Sequence, residues 1–376
     1  MNIRAKVRRA SVAAALCLVL APAARAAPSI FGFNFSCWGK DCYEAPAASQ
    51  SLQALARTGA RWIAVTPTWY MDGSRASSLA PSASTPSDES VRFAIRQAKA
   101  LGLSVALKPH VDLDDGNPRS DIDPRDDAAW FKGYRAMILH YASIAAQEHA
   151  DLFVVGTELL HVDGPAHLRD WRGLIAAVRS VYHGPLTYAA NCYNFVRIPF
   201  WGDLDYIGID GYFPVLGGDN EKVMEASWQP YKLLIEAESG VFGKPVLFTE
   251  IGISSQKGAN LKPWDYSHFG RADDKVQAAY LESFLHVFSR KKWFAGFLQW
   301  DWEADASGQG AGDKSMSVRG KPALQVLTRY FDLWRGIVPP SAVSRLNSSF
   351  GAHAAAALRL VRQGSFDGKG AAANLP

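Results

Sequence analysis

The chain is expected to fold as a single (β/α)8 barrel, an α/β architecture of the TIM-barrel class. Eight short apolar runs of strand length recur along it, and helical patterns alternate with them. The intervening stretches are long enough to make neighbouring strands parallel. Two of the runs also share an ending: Asp151-Leu152-Phe153-Val154-Val155-Gly156-Thr157-Glu158 and Val246-Leu247-Phe248-Thr249-Glu250-Ile251-Gly252 each close on a Thr and a Glu. A doubly wound open sheet would normally offer a Gly-rich turn after its first strand, and Phe31-Gly32-Phe33-Asn34 is not one.

In order, the first strand spans 30–35, followed by a loop with Cys37, Trp38 and Cys42 and a short helix at 49–58. A second strand at 61–66 leads into Pro67-Thr68-Trp69-Tyr70. The helix at 87–101 opens on Ser87-Asp88-Glu89, a cap followed by an acidic first turn. The third strand, 104–108, ends at Lys108-Pro109-His110-Val111-Asp112. Residues 114–127, rich in Asp, Pro and Gly, form a loop. A helix at 128–149, the strand ending in Glu158 and a helix at 166–182 come next. The fifth strand, 186–191, ends at Asn191, and the sixth, 204–210, at Asp210, before Gly211-Tyr212-Phe213-Pro214. A helix at 221–238, the strand carrying Glu250, a long polar loop and a helix at 273–290 follow. The eighth strand, 294–300, ends at Trp300-Asp301-Trp302, and a helix at 322–334 completes the set. The barrel is assigned to residues 28–337.

With 376 residues and 48% hydrophobic content, the chain is long enough for a substantial core. Arg4, Lys6, Arg8 and Arg9 precede an apolar run from 11 to 20, and Ala24-Arg25-Ala26 supplies the small residues of a cleavage site. Residues 1–26 therefore read as a secretory signal peptide, too short in its apolar part to span a bilayer. Its removal turns the formal +4 into −1, with 35 basic residues against 36 acidic. A nucleic-acid partner is thus not indicated, nor stable membrane insertion. The expected location is secreted or periplasmic, and the expected state is a monomer. Cys37 and Cys42 can close a short loop in an oxidising compartment, leaving Cys192 free. Residues 338–376 turn to Ala, Ser and Gly and read as a weakly ordered tail.

Active sites of this barrel class stand at the C-terminal ends of the strands. The residues there are Trp38, Trp69, Tyr70, Lys108, His110, Asn191, Asp210, Tyr212, Trp300 and Trp302, together with Glu158 and Glu250. This is a rim of flat aromatic faces and polar groups, suited to sugar C–H patches and hydroxyls. Lys108 is expected to face the carboxylates. Glycosidic bond cleavage needs a proton donor and a second carboxylate, about 5–5.5 Å apart in enzymes that retain configuration. Glu158 and Glu250, on the fourth and seventh strands, are placed on opposite sides of the barrel mouth. Tyr212, beside the Glu250 strand, can donate a hydrogen bond to it. No metal or cofactor is implied: His110-Val111-Asp112 lacks a third ligand, and no G-x-S-x-G marks a serine hydrolase.

A Glu ending strand four, a Glu ending strand seven, Tyr212 after strand six and Trp300 on strand eight resemble the clan A glycoside hydrolases. Within that clan, Leu107-Lys108-Pro109-His110, Gly156-Thr157-Glu158, Ile207-Gly208-Ile209-Asp210-Gly211-Tyr212-Phe213-Pro214 and Thr249-Glu250-Ile251-Gly252 resemble glycoside hydrolase family 113. Its described members are endo-β-1,4-mannanases. The resemblance implies Glu158 as acid/base and Glu250 as nucleophile. The clan's acid/base commonly follows an Asn that binds the sugar 2-hydroxyl. Here Thr157 stands there, and Asn191 is a candidate to supply that contact. The expected function is an exported, retaining endo-β-mannanase acting on a polysaccharide or oligosaccharide. The alternatives are a clan relative acting on another β-glycan or exopolysaccharide, and a non-catalytic polysaccharide-binding barrel.

Overall fold

The computed structural model describes residues 28–337, apart from 268–269, 306–308 and 311. The expected leader and tail lie outside the described residues. Among the described residues there are ten strands: β1 (Ile30–Phe35), β2 (Trp62–Val65), β3 (Thr68–Met71), β4 (Ser104–Leu107), β5 (His110–Leu113), β6 (Leu152–Thr157), β7 (Leu186–Asn191), β8 (Ile207–Asp210), β9 (Val246–Ile251) and β10 (Phe294–Gln299). Eight of them close a parallel barrel in the order β1-β2-β4-β6-β7-β8-β9-β10, with β10 back on β1.

The apolar runs are strands because both of their faces are covered. Inward, Ile30, Ala64, Ala106, Leu152, Leu247 and Leu298 fill the barrel as a packed core. Outward, the strands meet the helices. Phe248 on β9 packs against Phe284 and Phe288, ring centroids 4.8 and 5.1 Å away. Phe31 on β1 stacks on Phe331 at 5.2 Å. Each such fully buried aromatic contributes about 1.5–3 kcal/mol of transfer free energy. At the β10–β1 seam, Gly296 has φ +144, and a Cβ there would collide with the Ile30 carbonyl.

Seven helices among the described residues wrap the barrel: α1 (Pro46–Arg57), α2 (Asp88–Ala100), α3 (Asp127–Gln147), α4 (Leu168–Arg179), α5 (Glu221–Phe242), α6 (Asp274–Phe288) and α7 (Pro322–Trp334). Pro46 starts α1 three residues before the periodicity suggests, because proline is pre-set for a first helical position. Ser87 caps α2 by accepting from the Ser90 amide, and Asp126 caps α3 through the Ala129 amide. Gly243, at φ +64, ends α5 four residues later than expected. Between β7 and β8 the chain makes two 3-10 turns, Phe195–Arg197 and Trp201–Asp203.

β3 and β5 form a separate two-stranded parallel sheet beyond β2 and β4, which the sequence pattern did not disclose. Pro67 and Pro109 interrupt the barrel ladder because they have no N–H to donate. Pairing then resumes with Thr68 opposite His110 and Tyr70 opposite Asp112. Cys37 and Cys42 are joined by a disulfide, and Cys192 is free and buried. No helix among the described residues is long and apolar enough to cross a membrane.

Candidate active site

Glu158 directly follows β6, and Glu250 lies within β9. They are three strands apart around the ring and not diametrically opposed, as the sequence reading had placed them. β7 and β8 fall between, so the residues ending those strands stand between the two carboxylates.

Glu158 adopts φ +54, the left-handed region, which costs a non-glycine residue roughly 1 kcal/mol. Its amide donates to the Ala189 carbonyl at 2.9 Å, and its Oε1 accepts from Asn191 Nδ2 at 2.9 Å. Two residues earlier, a Cβ on Gly156 would meet the Tyr134 hydroxyl at 2.7 Å and the Tyr188 ring at 2.8 Å, so only glycine fits. Burial, then the charge of Glu250, push the Glu158 carboxyl up to about 7, against the opposing pull of Arg119, Lys108 and Asn191.

Glu250 is buried and held from several sides. The β8–β9 register slips so that Ile209 pairs with Phe248 but Asp210 pairs with Glu250. The Tyr212 hydroxyl donates to Oε2 at 2.5 Å, and the Lys108 ammonium donates to Oε1. Lys108 also reaches Asp210 Oδ1 at 3.4 Å, and Thr249 Oγ1 donates to that atom at 2.7 Å. Burial, then the charge of Glu250, hold the Asp210 carboxyl well above the ordinary range. Burial, with Arg119 and Lys108 nearby, keeps His110 well below its ordinary value and so neutral. The His110 ring stacks on Trp300 with centroids 5.8 Å apart.

Lys108, His110, Asp210, Tyr212 and Trp300 therefore gather around Glu250, and Asn191 attends Glu158. Tyr70 is half-buried on β3, opposite Asp112. Trp38 is 49% exposed in the loop after β1. Of the other expected cleft aromatics, Trp302 is spent on packing and Trp69 is half-buried. Trp302 is 2% exposed, its ring 5.0 Å from Phe33 with the Arg319 guanidinium 4.2 Å from its centroid, and its N–H is satisfied by Ser51. Trp69 donates its N–H to the Tyr141 hydroxyl at 3.0 Å, against α3.

The sequence reading missed Arg119, hidden in a segment assigned as loop. It lies in a 3-10 turn and grips Asp112 Oδ1 through Nε at 2.9 Å and an η nitrogen at 2.8 Å. Burial opposes its charge, but Asp112, Glu158, Glu250 and Asp210 outweigh that and raise its pKa. The signal was Asp112 itself, an acidic residue on an otherwise buried strand.

Among the described residues, one group of three has metal-ligand spacing: Glu221 and Glu225 on α5 with His286 on α6. His286 Nδ1 lies 2.6 Å from Glu221 and 2.7 Å from Glu225, and Nε2 lies 3.1 Å from Glu282. Burial opposes protonation, yet the three glutamates push the imidazole up to about 11. The imidazolium thus fills the position a cation would take, and the cluster is an ion-pair clamp between the two helices.

A sequence model of Glycoside Hydrolase Family 113 matches residues 31–321. A GH113 β-mannanase from Alicyclobacillus acidocaldarius, solved in complex with ManMIm, is 28% identical, with 82% of this chain and 98% of that chain covered and a TM-score of 0.75. A GH113 β-1,4-mannanase structure is 29% identical over 81% of this chain and 98% of its own, with a TM-score of 0.74. A β-glucuronidase from Ruminococcus gnavus, 16% identical over 76% of this chain and 46% of its own at a TM-score of 0.53, shares the fold alone. No curated protein sequence matches the chain. The family model covers most of the chain and the similar structures are matched over nearly their whole length, so the protein belongs to glycoside hydrolase family 113 and is a glycoside hydrolase.

Proposed function

We propose that the protein is a retaining endo-β-mannanase in which Glu250 is the nucleophile and Glu158 the acid/base. The observation that carries this is a division of labour at one barrel mouth. Glu158 has its carboxyl pushed up to about 7, while Glu250 receives the Lys108 ammonium and the Tyr212 hydroxyl. Two carboxyls whose environments differ in this way suit a proton donor and a nucleophile.

In the first step a Glu250 oxygen attacks the anomeric carbon. The glycosidic C–O bond breaks, and the Glu158 proton goes to the departing oxygen. In the second, water attacks the same carbon, Glu158 takes its proton, and Glu250 leaves as a carboxylate. Lys108 and Tyr212 orient Glu250 for both steps. Asp210, beneath Lys108, keeps the ammonium in place. Asn191 holds Glu158 and is the proposed source of the 2-hydroxyl contact that Thr157 is too short to make. Trp300, Trp38 and Tyr70 are the proposed sugar-stacking faces.

Mannan is the proposed polymer because the similar solved structures are β-mannanases. Reducing-sugar release from a panel of β-linked glycans tests this. Release from β-1,4-mannan with little from glucan or xylan is the expected result. Release from another polymer alone would assign the enzyme to it, and no release from any would favour a binding barrel. Export is proposed from the composition of residues 1–26. The mature N-terminus of the secreted protein, read by mass spectrometry, should fall just after Ala26.

A further inference from the structure

Asp163 lies in the loop between β6 and α4, is fully buried, and takes no part in the chemistry above. Its Oδ2 accepts from the Tyr188 hydroxyl at 2.9 Å, and its Oδ1 accepts from Asn194 Nδ2 at 2.6 Å. Each donor leads back to Glu158 by a different path. The Tyr188 oxygen accepts from the amide of Leu159, the residue after Glu158, at 2.9 Å. The Asn194 amide donates to the Asn191 carbonyl at 2.9 Å, closing the turn from which Asn191 Nδ2 reaches Glu158 Oε1. The bonds form a ring that passes from Glu158 through Leu159, Tyr188, Asp163, Asn194 and Asn191 and returns to the Glu158 carboxyl.

The ring has only one polarity. Tyr188 has a single proton, and because its oxygen accepts from Leu159 that proton is free to go to Asp163. Asn194 likewise turns its NH2 toward an Asp163 oxygen; burial pushes that carboxyl up to about 6, and the bonds from Tyr188 and Asn194 pull it back toward the ionised form. An ionised carboxylate satisfies both donors at once, which a neutral amide side chain cannot do. The walls are firm: the Tyr188 ring packs on Trp171 at 5.2 Å and Phe200 at 5.5 Å, and the Trp171 N–H holds the Val162 carbonyl at 2.7 Å. A left-handed residue such as Glu158 keeps its conformation only where its surroundings over-determine it.

We propose that Asp163 is a positioning residue for proton transfer, fixing the Glu158 backbone through Tyr188 and the Glu158 carboxyl through Asn194 and Asn191. The inference rests on the reading of Glu158 as acid/base. Replacing the Asp163 carboxylate by an amide leaves at least one buried donor unpaired and breaks the ring that ties the Glu158 backbone to its carboxyl. The proton donor then drifts from the leaving oxygen, a displacement that costs on the order of 100-fold where protonation is needed.

The test is the kcat/KM of Asp163→Asn on aryl β-mannobiosides, from 2,4-dinitrophenol, which leaves without protonation, to phenol, which does not. The loss should be roughly 30- to 100-fold for phenol and under about 3-fold for dinitrophenol. Asn194→Ala, which cuts only the carboxyl-side tie, should show the same leaning to a smaller degree and keeps the test open if Asp163→Asn does not fold. A folded Asp163 variant with equal losses along the series, or none, would overturn the proposal. Glu158→Ala separates the two ideas. If it too is flat along the series, the acid/base reading fails. If it leans steeply while the Asp163 and Asn194 variants do not, Asp163 is structural only.

Discussion

The Tyr212 hydroxyl lies 2.5 Å from Glu250 Oε2, and both groups are buried. Burial, then the charge of Glu250, hold the phenol pKa well above its ordinary value, so the proton stays on oxygen and points at the carboxylate. Tyr212→Phe keeps the ring and removes only that bond. Turnover should fall roughly 10- to 100-fold, about 1.4–2.8 kcal/mol of barrier, with little change in thermal stability. Steady-state kinetics beside a melting curve check this, and unaltered turnover would make Tyr212 a packing residue.

Lys108 is fully buried between Glu250 and Asp210. Lys108→Met leaves those carboxyls without the cation that touches them, which costs about 3–5 kcal/mol of stability for a broken buried pair. Activity should be lost with it. Adding Asp210→Asn removes one of the stranded acids, so the double variant should regain part of the stability and none of the activity. Calorimetry and turnover on the three proteins test both halves.

The proposed role of Glu158 as proton donor needs it protonated, so kcat/KM should fall as pH rises through about 7. Arg119 pulls the Glu158 pKa down by its charge. Arg119→Ala removes that pull. The alkaline limb should therefore move upward. A limb that stays put or moves down would place Arg119 outside the field felt by Glu158.

The His286 clamp has a pH signature in stability. Its folded pKa, about 11, is raised above the ordinary 6.5. Its contribution is therefore full below about 6.5 and is lost as pH rises toward 11. The gap in melting temperature between wild type and His286→Ala should be widest near pH 6 and should narrow steadily as pH rises toward 11. A gap that is flat from pH 6 to 10 contradicts the clamp.

The barrel was legible because a parallel strand covered on both faces is a near-continuous apolar run, as in residues 152–155 and 246–248. The bounds of α7 match the periodicity because proline starts it at Pro322. What stayed hidden depends on direction and distance. Trp300 and Trp302 look alike in sequence, yet Trp300 borders the Glu250 cluster and Trp302 is buried against Phe33. Arg119 and Asp163 sit in loops whose composition announces only a turn. Their importance comes from partners brought close by the fold, such as Asp112 for one and Tyr188 and Asn194 for the other. Even the fourth and seventh strands, correctly found, were set across the ring from each other, although closure places only β7 and β8 between them.

Azide trapping tests the separate roles of Glu158 and Glu250 most directly. Each carboxylate is changed to Ala, and the variant is given an activated aryl β-glycoside with sodium azide. Without Glu250, azide enters from the face that carboxylate vacated, and the product is the α-glycosyl azide. Without Glu158, the covalent intermediate still forms on Glu250, and azide opens it from the opposite face to give the β-glycosyl azide. NMR of the anomeric proton distinguishes the products. The expected products are α-azide from Glu250→Ala and β-azide from Glu158→Ala. The reverse pairing, or near wild-type hydrolysis by either folded variant, would contradict those roles.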